Sequence, residues 1–214
     1  MDAKRPPPDP TATVFVIDDD TEVLKALARV LASSGWRVAT FSSPERFLES
    51  VGSARGCIVL DLAMPGLNGL ELQEALETRR SVLPIVFLTG RGNIASSVQA
   101  MKQGAVDFLE KPVDDERLLD AVSAALSKHR KLSDARDERD RVEARIGLLT
   151  PRERQVLEKI VAGRMNKQIA AELGTVEKTI KFHRANVMHK MGVRTLADLV
   201  KIAHHAGFGA QERN

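Results

Sequence analysis

A single cysteine, Cys57, stands among the 214 residues, so the chain cannot close an internal disulfide. That suits a reducing compartment. Cys57 opens an apolar stretch and reads as a small buried hydrophobe rather than a reactive thiol. No apolar run approaches the roughly 20 residues needed to span a bilayer. The first ten residues, Met1 to Pro10, lack the apolar core of a signal peptide. Together these absences predict a cytoplasmic protein with no membrane partner. Residues 1–12 read instead as a disordered, proline-stiffened tail. No internal repeat is visible, which sets aside solenoids and propellers. What remains is ordinary for globular protein, with 43% hydrophobic and 29% charged residues, and the length suits one or two domains.

Charge is unevenly placed. Residues 145–214 hold 13 basic and 6 acidic residues, while 1–144 hold 19 basic and 23 acidic. The net +3 of the whole chain therefore hides an acidic N-terminal part and a basic C-terminal part. Such asymmetry points to nucleic acid as partner of the basic part, against the plainer reading of a solvated basic face.

Four short segments share one design: Ile17-Asp18-Asp19-Asp20, Val59-Leu60-Asp61, Phe87-Leu88-Thr89-Gly90 and Leu109-Glu110-Lys111-Pro112. Each is an apolar run ending in a polar group, as a buried parallel strand reads when its C-terminal tip carries function. Ligands of open α/β sheets sit just beyond those tips. Carboxylates gathered there repel one another and call for a hard cation, for which Mg²⁺ with oxygen ligands is the natural candidate. A lysine and a threonine beside it would cradle a phosphoryl group.

Strands are predicted at Val14–Ile17, Trp36–Thr40, Cys57–Leu60, Ile85–Leu88 and Asp107–Leu109, with helical patterns between them. The fourth helical pattern is marked by Ile94, Val98 and Met101. Such alternation means a parallel sheet covered by helices on both faces.

Residues 13–127 resemble the receiver domain of two-component response regulators in the order and spacing of these groups. The resemblance implies a doubly wound, flavodoxin-like α/β fold with a parallel five-stranded sheet in the order 2-1-3-4-5. It implies that a sensor histidine kinase phosphorylates Asp61. Asp18, Asp19, Asp61 and the backbone carbonyl of Ala63 would hold Mg²⁺. Thr89 would hydrogen-bond the phosphoryl group and Lys111 would pair with it. Phe108 falls at the family's switching aromatic, often Tyr, so a switch here would act by packing alone. The Lys111-Pro112 bond is a candidate for the family's cis geometry.

From residue 128 to 147 the sequence is strongly charged, with no Gly or Pro before Gly147. Leu132, Ala135, Val142 and Ile146 keep only a thin apolar spacing, so this stretch is predicted as an exposed helical linker, too weakly seamed for a coiled coil alone. Thr150-Pro151-Arg152-Glu153 is then a capping box with proline at the first helical position. Helices are predicted after it, near Asn166, from about Val176 to Met191, and from Thr195 to about Ala206. Ala170, Gly174 and Ile180 follow the pattern of a helix-turn-helix.

The fuller run is more specific. Leu149 to Glu153, Gly163, Asn166-Lys167, Ile169-Ala170, Thr179, Lys181, His183, Lys190 and Val193 resemble the LuxR-type (NarL/FixJ-type) DNA-binding domain over residues 148–206. The whole chain looks most like FixJ-type regulators. The resemblance implies a four-helix all-α domain whose third helix enters the major groove. Lys181, Phe182 and Ala185 align with base-facing positions, and Thr179 belongs to the same motif. Asn166, Lys167, Lys178 and Arg184 are better placed for phosphates. His183 suits packing or a phosphate contact.

The family caps the recognition helix with Ser where this chain has Val176. Either Thr175 caps from a shifted start or the cap is lost. Residues 207–214 read as a C-terminal tail.

The expected function is a phosphorylation-activated transcriptional regulator and not an enzyme. Its partners would be the kinase, a double-stranded operator with two half-sites and a second copy of the chain on phosphorylation, with RNA polymerase as a further candidate. The competing reading is a dehalogenase-type phosphatase. Asp18-Asp19-Asp20-Thr21-Glu22 departs from that family's Asp-x-Asp-x-Thr/Val, because Glu22 occupies the last position.

Overall fold

The computed structural model describes residues 11–52, 54–90 and 94–208, with side chains for all of these except 94–97 and 205. Most of the two tails expected at 1–12 and 207–214 lies outside them. Two compact units divide the chain, Met1–Ser133 and Asp134–Asn214.

In the first unit, five strands form one parallel sheet: β1 (Thr13–Ile17), β2 (Arg37–Phe41), β3 (Gly56–Asp61), β4 (Ile85–Thr89) and β5 (Asp107–Glu110). Their order is β2-β1-β3-β4-β5. The helices between them are α1 (Thr21–Ser33), α2 (Pro44–Ser50), α3 (Gly69–Thr78) and α4 (Ile94–Lys102), and α5 (Asp115–Gly147) follows β5. Because successive side chains of a strand point to opposite faces, each inner strand feeds two cores. Val14, Val16, Cys57, Val59, Val86 and Leu88 pack with Leu24, Leu27 and Leu31 of α1 and with Leu118 and Val122 of α5. Phe15, Ile17, Ile58, Leu60, Ile85 and Phe87 pack on the other face with Phe47 of α2 and Leu72 and Leu76 of α3. Cys57 is fully buried, and burial pushes its thiol pKa up. The expectation of an inert thiol fits that environment.

Local chemistry explains where the helices begin. Asp20 accepts from the backbone N–H groups of Glu22 and Val23 and caps α1. Ser43 precedes Pro44 and caps α2, and Asn68 with Glu71 forms a full capping box on α3. Among the described side chains of α4, Ala100 is buried, while Val98 and Met101 are about half exposed. Val98 and Met101 thus lie on a partly solvent-facing side of α4.

The second unit holds the end of α5 and the helices α6 (Pro151–Val161), α7 (Asn166–Glu172), α8 (Glu177–Met191) and α9 (Leu196–His205). Its core joins Val156, Leu157 and Ile160 of α6, Ile169 of α7, Ile180, Val187 and Met191 of α8, and Leu199 and Ala203 of α9. Val142 and Ile146 of α5 are buried in the same core. The linker is helical as expected, but Val142 and Ile146 in its last turns are buried rather than exposed. Phe208 also packs against this core, with Arg154 6.0 Å above its ring. No described helix is long and apolar enough to cross a membrane.

Candidate functional site

Parallel pairing sets the ends of β1, β3 and β4 side by side. Ile17 is in register with Leu60, and Asp61 with Leu88. Chain direction then does the rest: Asp18 follows β1, Asp61 closes β3, Thr89 closes β4 and Lys111 follows β5. The Lys111 N–H donates to the Thr89 carbonyl at 2.7 Å, which anchors the last tip to its neighbour. The Lys111–Pro112 bond is cis. Gly69 opens α3 directly beneath the site. A Cβ there would come within 2.6 Å of the Asp61 carbonyl oxygen and 3.0 Å of the Phe87 ring, so only glycine lets α3 start so close to the acid.

Asp18, Asp19 and Asp61 bring carboxylate oxygens within 4.8 Å of one another. Asp18 and Asp61 are buried, while Asp19 is exposed. Lys111 Nζ lies 2.6 Å from Asp18 Oδ2 and 3.1 Å from Asp61 Oδ1. Asp18 also accepts from the Asp20 N–H at 2.9 Å. Burial raises the Asp61 carboxyl above the ordinary carboxylate range; the Lys111 hydrogen bond and charge pull it back, and the Asp18 charge pushes it further up. Burial alone would lower the Lys111 ammonium, but hydrogen bonds and charge from Asp18 and Asp61 outweigh it and raise the pKa. The result is a pocket of three acids and one ammonium, all oxygen donors apart from the lysine.

Thr89 is buried, and its hydroxyl donates to the Gly90 carbonyl at 2.8 Å. Phe108 is half-buried against the core that includes Phe87, their ring centroids 6.1 Å apart. Ala63 lies two residues past Asp61 with an exposed side chain.

In the second unit, α8 shows two faces. Ile180, Val187 and Met191 are fully buried, whereas Lys178, Lys181, Phe182 and Ala185 are exposed. Lys181 reaches Glu177 at 3.2 Å, one turn back. Val176 is the N-cap residue and makes no side-chain cap, so of the two alternatives for this helix start the cap is lost. Thr179 is half-buried in the first turn, and Lys167 is exposed on α7. Arg184 Nη1 donates to Asn166 Oδ1 at 3.0 Å, tying α8 to α7. His183 is half-buried, its Nδ1 without a hydrogen-bond partner among the described residues. His204 is exposed.

Two further locks are visible only in three dimensions. Glu153, 3% exposed, accepts from the Thr150 N–H and from Lys190 Nζ at 2.6 Å. The Lys190 hydrogen bond holds its carboxyl below the usual range. Arg152 Nη2 donates to the Leu173 carbonyl at 2.6 Å. The capping box announces Glu153, but nothing near it in sequence announces Lys190.

An acidic pocket at the tips of a 2-1-3-4-5 sheet, followed by a helix-turn-helix unit, defines the class: a signal-receiving domain joined to a DNA-binding one. Comparison with known proteins agrees. Residues 14–123 match the response regulator receiver domain, and residues 147–203 match the bacterial regulatory proteins of the luxR family. The chain belongs to the response regulators with a LuxR-type output domain. It is 46% identical over 195 residues to the transcriptional regulatory protein FixJ of Azorhizobium caulinodans, covering 91% of this chain and 92% of that protein. It is 42% identical over 200 residues to nodulation protein W of Bradyrhizobium diazoefficiens, covering 93% and 88%. The solved structure of the response regulator StyR is 45% identical, with a TM-score of 0.83 over 91% of this chain and 98% of that one. The protein is therefore a DNA-binding transcriptional regulator of the two-component type.

Proposed function

We propose that Asp61 accepts a phosphoryl group from a phosphohistidine on a sensor kinase, and that this controls operator binding by α8. The observation that carries the reading is the convergence of Asp18, Asp19, Asp61, Thr89 and Lys111 at four adjacent strand ends. An Asp61 oxygen forms the new bond to phosphorus, the P–N bond breaks, and the imidazole leaves with the electron pair. Asp61 must be ionised to attack. Lys111, already within 3.1 Å of Asp61, would pair with the incoming phosphoryl oxygens. The Thr89 hydroxyl would turn from the Gly90 carbonyl to donate to them.

A divalent cation fits the donor set. Three carboxylates face one ammonium, all the acidic ligands are hard oxygens, and Asp61 is destabilised in its charged form. Asp18, Asp19, Asp61 and the Ala63 carbonyl would hold Mg²⁺, which would neutralise charge on the transferred group. The test is labelling by acetyl phosphate in Mg²⁺, read by intact mass and peptide mapping. Label on Asp61, lost in Asp61→Asn, supports the reading. Label on Asp18, the acid a dehalogenase-type phosphatase would use, would replace it.

In the output unit, Lys181, Phe182, Ala185 and Thr179 would face base edges, and Asn166, Lys167, Lys178 and Arg184 would serve phosphates. Since Arg184 and Asn166 already bond to each other, their phosphate role would be shared with holding α7 on α8. Withdrawal of Thr89 toward the phosphoryl group would free space for Phe108 to repack. That would alter the face of α4, β5 and α5, where Val98 and Met101 already stand in water. Two copies would then pair by two-fold symmetry and match two half-sites. RNA polymerase as a contact and a cytoplasmic location complete the reading.

A further inference from the structure

We propose that Arg145, in the last turn of α5, is a positioning residue for the recognition helix, and that α5 from Asp134 onward is a working part of the DNA-binding domain. This rests on the assignment of α8 as the recognition helix.

The two ends of α8 are held very differently. At its N-terminus, Val176 offers no side-chain cap. At its C-terminus, Arg145 Nη1 donates to the carbonyl of Met191, the last helical residue, at 3.1 Å. The last carbonyls of a helix have no partner within the helix, and its C-terminus carries partial negative charge. A guanidinium there meets both needs. The next residue, Gly192, is left-handed at φ +66. A Cβ on it would stand 3.4 Å from the Arg145 guanidinium carbon, an ordinary contact, so it is the left-handed backbone and not crowding by the arginine that favours glycine there.

A second tie lies one turn further on. Lys190 Nζ donates to the Leu148 carbonyl at 3.1 Å, as well as to Glu153. Beneath these polar ties, Val142 (4% exposed) and Ile146 (7%) enter the core that contains Val187 and Met191. The segment 142–148 thus grips the C-terminal end of α8 by two hydrogen bonds and a shared core. By contrast, two exposed arginines just before this segment pair with neighbours on α5: Arg139 with Glu143, and Arg141 with Glu138.

The consequence concerns sequence discrimination. Base contacts need the helix held in one pose in the groove, whereas non-specific binding needs only positive charge near phosphates. The N-terminal half of α8 is held by Ile180 in the core and by the Arg184–Asn166 bond to α7 but has no side-chain cap, so Arg145 supplies the polar anchor at the other end of the helix. Losing that hydrogen bond should cost specific binding more than non-specific binding.

The full-length protein carries the test. Arg145→Met keeps the aliphatic stem and removes the donor, Arg145→Lys keeps a donor, and Arg141→Met removes one charge from the same helix without touching α8. Affinities for a selected operator and for random DNA are measured at one salt concentration, with helix content checked by circular dichroism. In Arg145→Met the specific-to-random ratio should fall about tenfold, the scale of one lost charge-assisted hydrogen bond. Arg145→Lys should recover most of the ratio, and Arg141→Met should leave it unchanged. If Arg145→Met and Arg141→Met lower both affinities alike and spare the ratio, Arg145 is only a surface charge and the proposal is overturned. Lys181→Ala is run alongside. If it too spares the ratio, α8 is not the reading helix, and the proposal falls with that assignment.

Discussion

Replacing Asp61 with Asn should stabilise the metal-free receiver and should lose that advantage when Mg²⁺ is added. Asp18 and Asp19 bring carboxylate oxygens within 4.8 Å of those of Asp61. At an effective dielectric of about 20, one such like-charge contact costs about 3.5 kcal/mol. Asp19 is exposed, so solvent screens much of its share. Lys111 at 3.1 Å returns about 5 kcal/mol on the same scale. Burial of the Asp61 charge tips the balance, and a net penalty remains for the ionised form. Asn removes it and keeps the shape. Because the folded pKa of Asp61 is raised, its penalty is absent in acid, below the ordinary Asp pKa of about 3.9, and grows as pH rises through the folded value. The advantage of Asp61→Asn should therefore vanish in acid and grow as pH rises. Trp36, the single tryptophan, is buried in the receiver core, so its fluorescence reports unfolding of that unit alone. In EDTA the variant should melt several degrees higher, given about 2–8 °C per kcal/mol for units of this size. At 100 times its Kd, Mg²⁺ would add about 2.7 kcal/mol to the wild type and less to the variant, reversing the order. A variant that melts below the wild type in EDTA at neutral pH would refute the charge argument. Equal Mg²⁺ shifts in both would refute Asp61 as a ligand.

Val176→Ser should restore the missing cap of α8 and raise the stability of the output unit by about 1 kcal/mol, read by calorimetry; no gain would mean that water already satisfies that end. Glu153→Gln should cost the same unit about 1–3 kcal/mol, less than a fully buried pair because Lys190 is 30% exposed. Since the folded pKa of Glu153 is lowered, the wild-type advantage should be present above the ordinary Glu pKa of about 4.3 and fade as pH falls through the folded value. A pH-independent difference would contradict the ion pair. Lys181→Ala should weaken specific binding by about 1–3 kcal/mol, whereas Lys167→Ala should weaken all DNA binding and reduce the salt slope by about one unit. Titrations at several salt concentrations would expose any failure of that sorting.

The receiver site was legible because its chemistry sits at the ends of apolar runs: Asp18, Asp61, Thr89 and Lys111 each follow a buried strand, and parallel pairing puts all such ends on one edge. The helix starts at Pro44 and Pro151 were legible for a similar reason, since capping residues act within three or four positions. What escaped depended on distance along the chain. Arg145 finds Met191 46 residues later and Lys190 finds Glu153 37 residues earlier. Such partners leave no local spacing to detect. The exposed-linker reading failed at Val142 and Ile146 because two apolar residues among many charges look like a poor seam until the core they fill is known. The spacing of Val98 and Met101 announced α4 but not its orientation, since both are about half exposed while Ala100 is buried.

Val176, the N-cap residue of α8, and Phe182 within it are 65% and 63% exposed and so place apolar surface in water. A purely electrostatic binder would lose nearly all its grip as salt releases counterions from the duplex. Here the ring and the valine would leave water when thymine methyls or sugars cover them. Operator binding should therefore carry a negative heat-capacity change and a residual affinity that persists at high salt.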